Sequence, residues 1–188
     1  MSYDHEQKEK RHDRPYCAEL PIYNASLYDD METYLKARRL SYQLAIHNGW
    51  YPSTEAGDRH PRIVVPATAS DPTNRYWQAR SIASYGHSIR YQSPHAARGD
   101  AIVVVWPYVP RIIGFRTTKG AVVEGPMDAL AAAETGCIGI ALMGAMPPFE
   151  ALDLTVKLLT DKMVYLVLDR DPSGSAAISR TLPYLLSK

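Results

Sequence analysis

The chain has 188 residues, 46% of them apolar by type and 22% charged, with 21 basic against 20 acidic side chains, which suits one globular domain or two small ones sharing a core. Cys17 and Cys137 stand 120 positions apart, with no CxxC and no nearby His pair, so this chain alone builds neither a zinc ribbon nor a disulfide framework. Apolar stretches break well before the roughly 20 residues of a spanning helix, and residues 1–19 are charged where a signal peptide is apolar, so membrane and secreted classes are excluded and a cytoplasmic protein is expected.

Residues 1–19 (MSYDHEQKEKRHDRPYCAE) carry too few apolar groups to offset ordering entropy and read as a flexible charged arm. From Asp29 the spacing of Met31, Tyr34, Leu35 and Arg38 predicts a helix, with Asp29 or Asp30 as its cap. A short helix over 41–47 should stop at Asn48-Gly49. Residues 62–67 (RIVVPA) and 75–82 (RYWQARSI), joined by a Ser/Asp/Pro/Asn turn, predict an antiparallel hairpin, and 101–106 (AIVVVW) a third strand.

From Gly120 the rhythm alternates strand and helix. Strands over 121–124, 138–143 and 163–169 are continuous apolar runs of the kind buried on both faces, and helices over 127–135, 148–159 and 173–186 separate them. Right-handed βαβ crossovers make this half a small parallel sheet. Ligands in such sheets sit beyond the carboxyl ends of the strands, and acids stand there: Glu124 in E-G-P-M-D before Asp128, then Asp169 and Asp171 in D-R-D-P-S-G. Carboxylates so crowded need compensation, and magnesium or manganese, hard cations that take oxygen ligands, would supply it. The charge is uneven too. Residues 50–119 hold nine basic and four acidic side chains, residues 120–188 five and eight. Either the first half holds a polyanion and the second divalent cations, or two small regions differ by chance.

The two acidic motifs, each after an apolar strand and 45 residues apart from Glu124 to Asp169, resemble the Toprim domain of bacterial-type primases, topoisomerases and certain nucleases. The resemblance matches Glu124 as the lone glutamate, Asp128 in the following helix, Asp169 and Asp171 as the paired aspartates and Gly174 as the glycine opening the last helix. The turn Leu142-Met143-Gly144-Ala145 is similar to a glycine turn of primases. Upstream, YLxxRRLS (34–41), Gly49-Trp50-Tyr51, RIVVP (62–66), WQARSI (77–82), RYQSP (90–94) and Arg98-Gly99 resemble the basic half of the bacterial and phage primase catalytic core.

The resemblance implies an α+β fold: a small basic mixed α/β subdomain over 20–119, then a Toprim-type, Rossmann-like parallel α/β subdomain over 120–188. It implies a nucleotidyltransferase of DNA replication that makes short RNA primers on single-stranded DNA from ribonucleoside triphosphates. Glu124, Asp169 and Asp171 would be catalytic, Glu124, Asp128, Asp169 and Asp171 would hold Mg2+ or Mn2+, and Arg62, Arg80, Arg90, Tyr91 and Arg98 would meet nucleic acid or nucleotide. Tyr76, Trp77 and Tyr91 could stack on bases or fill a core.

Departures keep alternatives open. Arg170 stands where many primases have glycine between the aspartates, no zinc-binding module or helicase motor accompanies the core, and the chain ends 17 residues after Asp171, where the family's domains continue with one more strand and helix. A replicative helicase or a separate zinc-binding module is therefore an expected partner. A Toprim nuclease and an inactive single-strand-binding or helicase-tethering module are the alternatives.

Overall fold

A computed structural model describes residues 17–57, 59–82, 89–108, 117–144 and 146–188. Most of the expected arm (1–16) and Ala145 of the glycine turn lie outside the described residues.

The first unit opens with a 3-10 turn, Ala25–Leu27, whose N-terminal amide on Ser26 is taken by the Asn24 side chain at 3.1 Å. It runs directly into α1 (Tyr28–Ala37), so Leu27 occupies the cap position, and Asp29 and Asp30 fall inside the first turn. There they complement the helix dipole instead of capping, as the sequence pattern had suggested. Helix α2 (Tyr42–His47) follows the expectation: the Ser41 hydroxyl accepts the Leu44 amide at 3.1 Å, and Gly49 ends the segment at φ +76°.

Four antiparallel strands lie in the order β1-β2-β3-β4: Tyr51–Ser53, Arg62–Pro66, Trp77–Ser81 and Tyr91–Gln92. The expected hairpin is β2–β3, with Val64 opposite Ala79 and Ile63 opposite Arg80. Alternate residues of β2 serve different cores. Ile63 and Val65 pack with Met31, Leu35 and Trp50, while Val64 packs with Trp77, Ala79 and Ala96. Tyr76 and Trp77 are buried in this way, and the Trp77 indole donates to the Glu19 carbonyl at 2.9 Å, so they fill the core instead of offering stacking faces.

The second sheet has the order β5-β7-β6-β8: Val103–Val105, Ile138–Ala141, Lys119–Val123 and Met163–Val167. Strand β6 is parallel to both neighbours, and β5 pairs antiparallel with β7. Val103–Val105, grouped with the basic half by sequence order, thus completes the other sheet, and a bridge between Thr68 and Ile102 joins the two halves. Helix α3 (Pro126–Glu134) covers one face, sharing a core with α1, α2 and β2, and α4 (Phe149–Leu158) covers the other. Helix α3 lies so close to β7 that a Cβ on Gly139 would stand 2.1 Å from the Ala129 carbonyl oxygen. Helix α5 (Pro172–Leu186) closes the chain. Strand β8 corrects an expectation: it is an edge strand whose Met163, Val164, Tyr165 and Val167 are exposed, not buried on both faces.

Candidate active site

The carboxyl ends of β6 and β8 bring the acids together. Glu124 directly follows β6, Gly125 caps α3, Pro126 takes the first helical position, where its missing N–H costs nothing, and Asp128 falls in the first turn. Asp169 follows β8, and its backbone amide donates to the Glu124 carboxylate at 3.2 Å, tying the two strand ends. Asp171 stands one step back. Its Oδ1 accepts the Gly174 amide at 2.7 Å and so caps α5. Gly174 is required there, because a Cβ would meet the Asp169 carbonyl oxygen at 1.9 Å.

Three of these acids, Asp171 not among them, form one wall of a cleft of about 350 Å³ between the two sheets. Glu124, Asp128 and Asp169 line it with Met143 and Gly144, while the opposite wall carries Arg38, Gln78, Arg80, Arg90 and Tyr91. A larger hollow of about 740 Å³ beside α2 and α3, near His47, Tyr108 and Glu134, lies away from the acids and lacks such an array. The Met143–Gly144 turn is held by the Gly144 amide, which donates to the Glu124 carbonyl at 3.2 Å, with Met143 at φ +53°.

The electrostatics follow from the crowding. Burial pushes the Glu124 carboxyl above its ordinary pKa, with repulsion from Asp169, Asp171 and Asp128 adding to it and the Asp169 amide opposing it. Asp128 is raised by burial and by Asp169, with the guanidiniums of Arg80 and Arg90 pulling the other way. An all-oxygen, mutually repelling donor set of this kind suits a hard divalent cation. Among the described residues no three such side chains already converge as a finished cage.

The sequence-derived basic residues divide. Arg80, Arg90 and Tyr91 reach the cleft. Arg62, expected to meet nucleic acid, is fully buried: its Nη1 donates to the Ile89 carbonyl at 2.9 Å, so it braces the first sheet. Arg98, expected in the same role, donates from Nε to the Ala101 carbonyl at 3.2 Å and from Nη1 to the Met143 carbonyl at 3.3 Å. It clamps the turn beside the acids from behind, and burial lowers its pKa. Arg38 and Gln78 also line the cleft and were not singled out from sequence, although Arg38 stood inside the YLxxRRLS stretch and is placed by its position at the end of α1.

Residues 121–188 match the Toprim-like family. No curated protein sequence is significantly similar to the chain. Among solved structures, a chain of the bacteriophage T7 assembly of lagging-strand DNA polymerase with the primase domains of two gp4 subunits, an RNA/DNA hybrid and dTTP superposes with a TM-score of 0.55 at 15% identity, covering 80% of this chain and 72% of that one. The Aquifex aeolicus primase zinc-binding and RNA polymerase domains give 0.57 at 20% identity, covering 83% and 46%. A primase catalytic domain bound to single-stranded DNA gives 0.56 at 15% identity, covering 95% and 64%. The chain thus spans between 46% and 72% of the length of these structures and shares their fold.

Proposed function

From a C-terminal Toprim-like domain and a chain-wide likeness to the fold of primase catalytic cores, we propose that this protein joins ribonucleotides on a single-stranded DNA template, making short primers during DNA replication in the cytoplasm. The observation that carries the reading is the two-sided cleft, with the guanidiniums of Arg38, Arg80 and Arg90 facing Glu124 and Asp169 at the carboxyl ends of parallel strands and Asp128 in the first turn of α3. Arg38, Arg80 and Arg90 hold phosphates, for which the planar guanidinium fork is suited. Glu124, Asp128, Asp169 and Asp171 would hold magnesium or manganese, which when bound neutralises a triphosphate and helps to activate a 3′-hydroxyl. Asp169 is kept in place by the bond from its amide to Glu124. No side chain need act as nucleophile.

Phosphate contacts hold a strand but do not read it. Among the described residues the cleft is lined by cations and the Tyr91 ring, so start-site choice is assigned to a partner, a separate zinc-binding module or a replicative helicase.

The test incubates the protein with single-stranded DNA, labelled ribonucleotides and either metal, and resolves products by size. Short oligoribonucleotides are expected, weak and with little start-site preference until a partner is added. Shortened DNA would establish a nuclease instead, and an unchanged strand that is nonetheless bound would establish a binding module.

A further inference from the structure

One group on the basic wall is more ordered than phosphate binding alone explains. Arg38, Tyr34, Arg80 and Tyr91 alternate cation and ring: the Arg38 guanidinium lies 4.9 Å from the centre of the Tyr34 ring, Arg80 Nε donates to the Tyr34 hydroxyl at 2.7 Å, and the Arg80 guanidinium lies 4.9 Å from the centre of the Tyr91 ring. Arg80 is only 7% exposed, so these rings, not solvent, set its orientation. Tyr34 comes from α1, Arg80 from β3 and Tyr91 from β4, where Arg80 and Tyr91 are direct cross-strand partners. Three elements therefore converge on one guanidinium.

A guanidinium has two forks, an end-on pair of Nη atoms and a side-on pair that includes Nε. With Nε committed to Tyr34, the side-on fork is closed. That matters because Arg80 and Asp128 line the same cleft, and a guanidinium free to turn would pair with a carboxylate across it. Such a pair would cancel a phosphate-directed cation against a carboxylate meant for other work.

We propose that Tyr34 is a positioning residue for the cleft: its hydroxyl fixes Arg80 through Nε and its ring carries Arg38, so both guanidiniums are directed at a polyphosphate instead of collapsing onto Asp128. The inference rests on the reading of the cleft as a phosphate-holding site. Tyr34 acts through the two arginines and itself touches no reacting atom.

The test uses the full chain and magnesium tripolyphosphate, titrated calorimetrically at several salt concentrations. Tyr34→Phe keeps the ring and removes the acceptor. It is expected to bind about tenfold more weakly, the scale of one lost charge-assisted hydrogen bond, with the salt dependence of binding unchanged because no charge is lost. Arg80→Lys keeps the charge but has no Nε and should weaken binding by a similar factor. The double variant should bind no more weakly than Arg80→Lys, because the hydroxyl works only through Nε. In primer synthesis the loss should appear in KM for nucleotides, with kcat within about twofold of the parent. Undiminished affinity in Tyr34→Phe, strictly additive losses in the double variant, or a fall in kcat at constant KM would each overturn the proposal. Should Tyr34→Phe fold poorly, undiminished affinity in Arg80→Lys overturns it alone. A parent that binds tripolyphosphate but makes no primers defeats the proposed function, and the titration still decides the role of Tyr34.

Discussion

Asp128 stands in the first turn of α3, where a negative charge is ordinarily stabilising, yet burial and the neighbouring Asp169 hold its pKa above the usual carboxylate value. The folded chain therefore resists ionising this group more than the unfolded chain does. Its contribution to stability is full below about pH 4, the unfolded value, and is lost as the pH rises through the raised folded value. Asp128→Asn removes that loss. In the absence of divalent metal the variant should melt a few degrees above the parent at pH 7, the difference should vanish near pH 4, and excess magnesium should reverse the order. Scanning calorimetry with and without chelator checks this, and a variant that melts below the parent at pH 7 without metal would show the acids are not in conflict. Tyr51 gives an alkaline counterpart. Its hydroxyl donates to the Pro21 carbonyl at 2.9 Å, and burial pushes its pKa up to about 12. Stability from the neutral phenol is complete below about pH 10 and is lost as pH rises through the folded value. Tyr51→Phe should cost about 1 kcal/mol at neutral pH for the lost bond and should remove one late-titrating phenol from the absorbance titration. If the missing phenol is one that titrates near the ordinary value, the assignment fails.

Among the elements, α5 carries a double duty at its N-cap. Asp171 caps the helix through Gly174 and also adds negative charge near Glu124. Asparagine caps as well as aspartate does, whereas alanine does not. Asp171→Asn should therefore keep the urea midpoint at or above that of the parent while, if the site works as proposed, primer synthesis and manganese binding fall, and Asp171→Ala should lose about 1 kcal/mol in addition. Equal midpoints for the two variants would mean the cap contributes nothing. Glu124, Asp169 and Asp171 were legible as candidates because each stands between an apolar strand and a helix start, a local signal that needs no tertiary knowledge, and Asp128 followed from its place in the helix after Glu124. The hairpin β2–β3 was legible from its turn residues. Strands β1 and β4 were not, since Tyr51-Pro52-Ser53 contains a proline and Tyr91-Gln92 is too short for any alternation. Apolar runs identified β6, β7 and β8 alike but could not say which lies at the edge, so the exposure of Met163 and Val167 was unreadable. Arg62 shows the same limit at a polar residue. An arginine opening a strand reads as a surface cation, and only the fold reveals that backbone carbonyls take its guanidinium.

At the scale of the molecule, the two halves meet around the cleft, and the arginines differ in what they do there. Arg90 is exposed on its wall, while Arg98 is spent on the Ala101 and Met143 carbonyls behind it. If the chain binds strands as proposed, Arg90→Met should flatten the dependence of log affinity on log salt by about 0.7, one single-strand phosphate contact. Arg98→Met should leave that slope unchanged and act instead through the Met143–Gly144 turn. Equal slopes for both variants would place Arg98 on the strand path after all. The halves are also tied by β5, which follows the first sheet in the chain but pairs with β7 of the second. During synthesis this has a cost in time. Val103 to Val105 emerge as a bare β-branched segment, and their partner, Gly139 to Ala141, is complete some 36 residues later, roughly 2 to 7 s at about 5–20 residues per second. Until then the segment is an open strand edge of the kind other chains can pair with, so a nascent chain stalled between residues 106 and 137 is the form of this protein most in need of a chaperone.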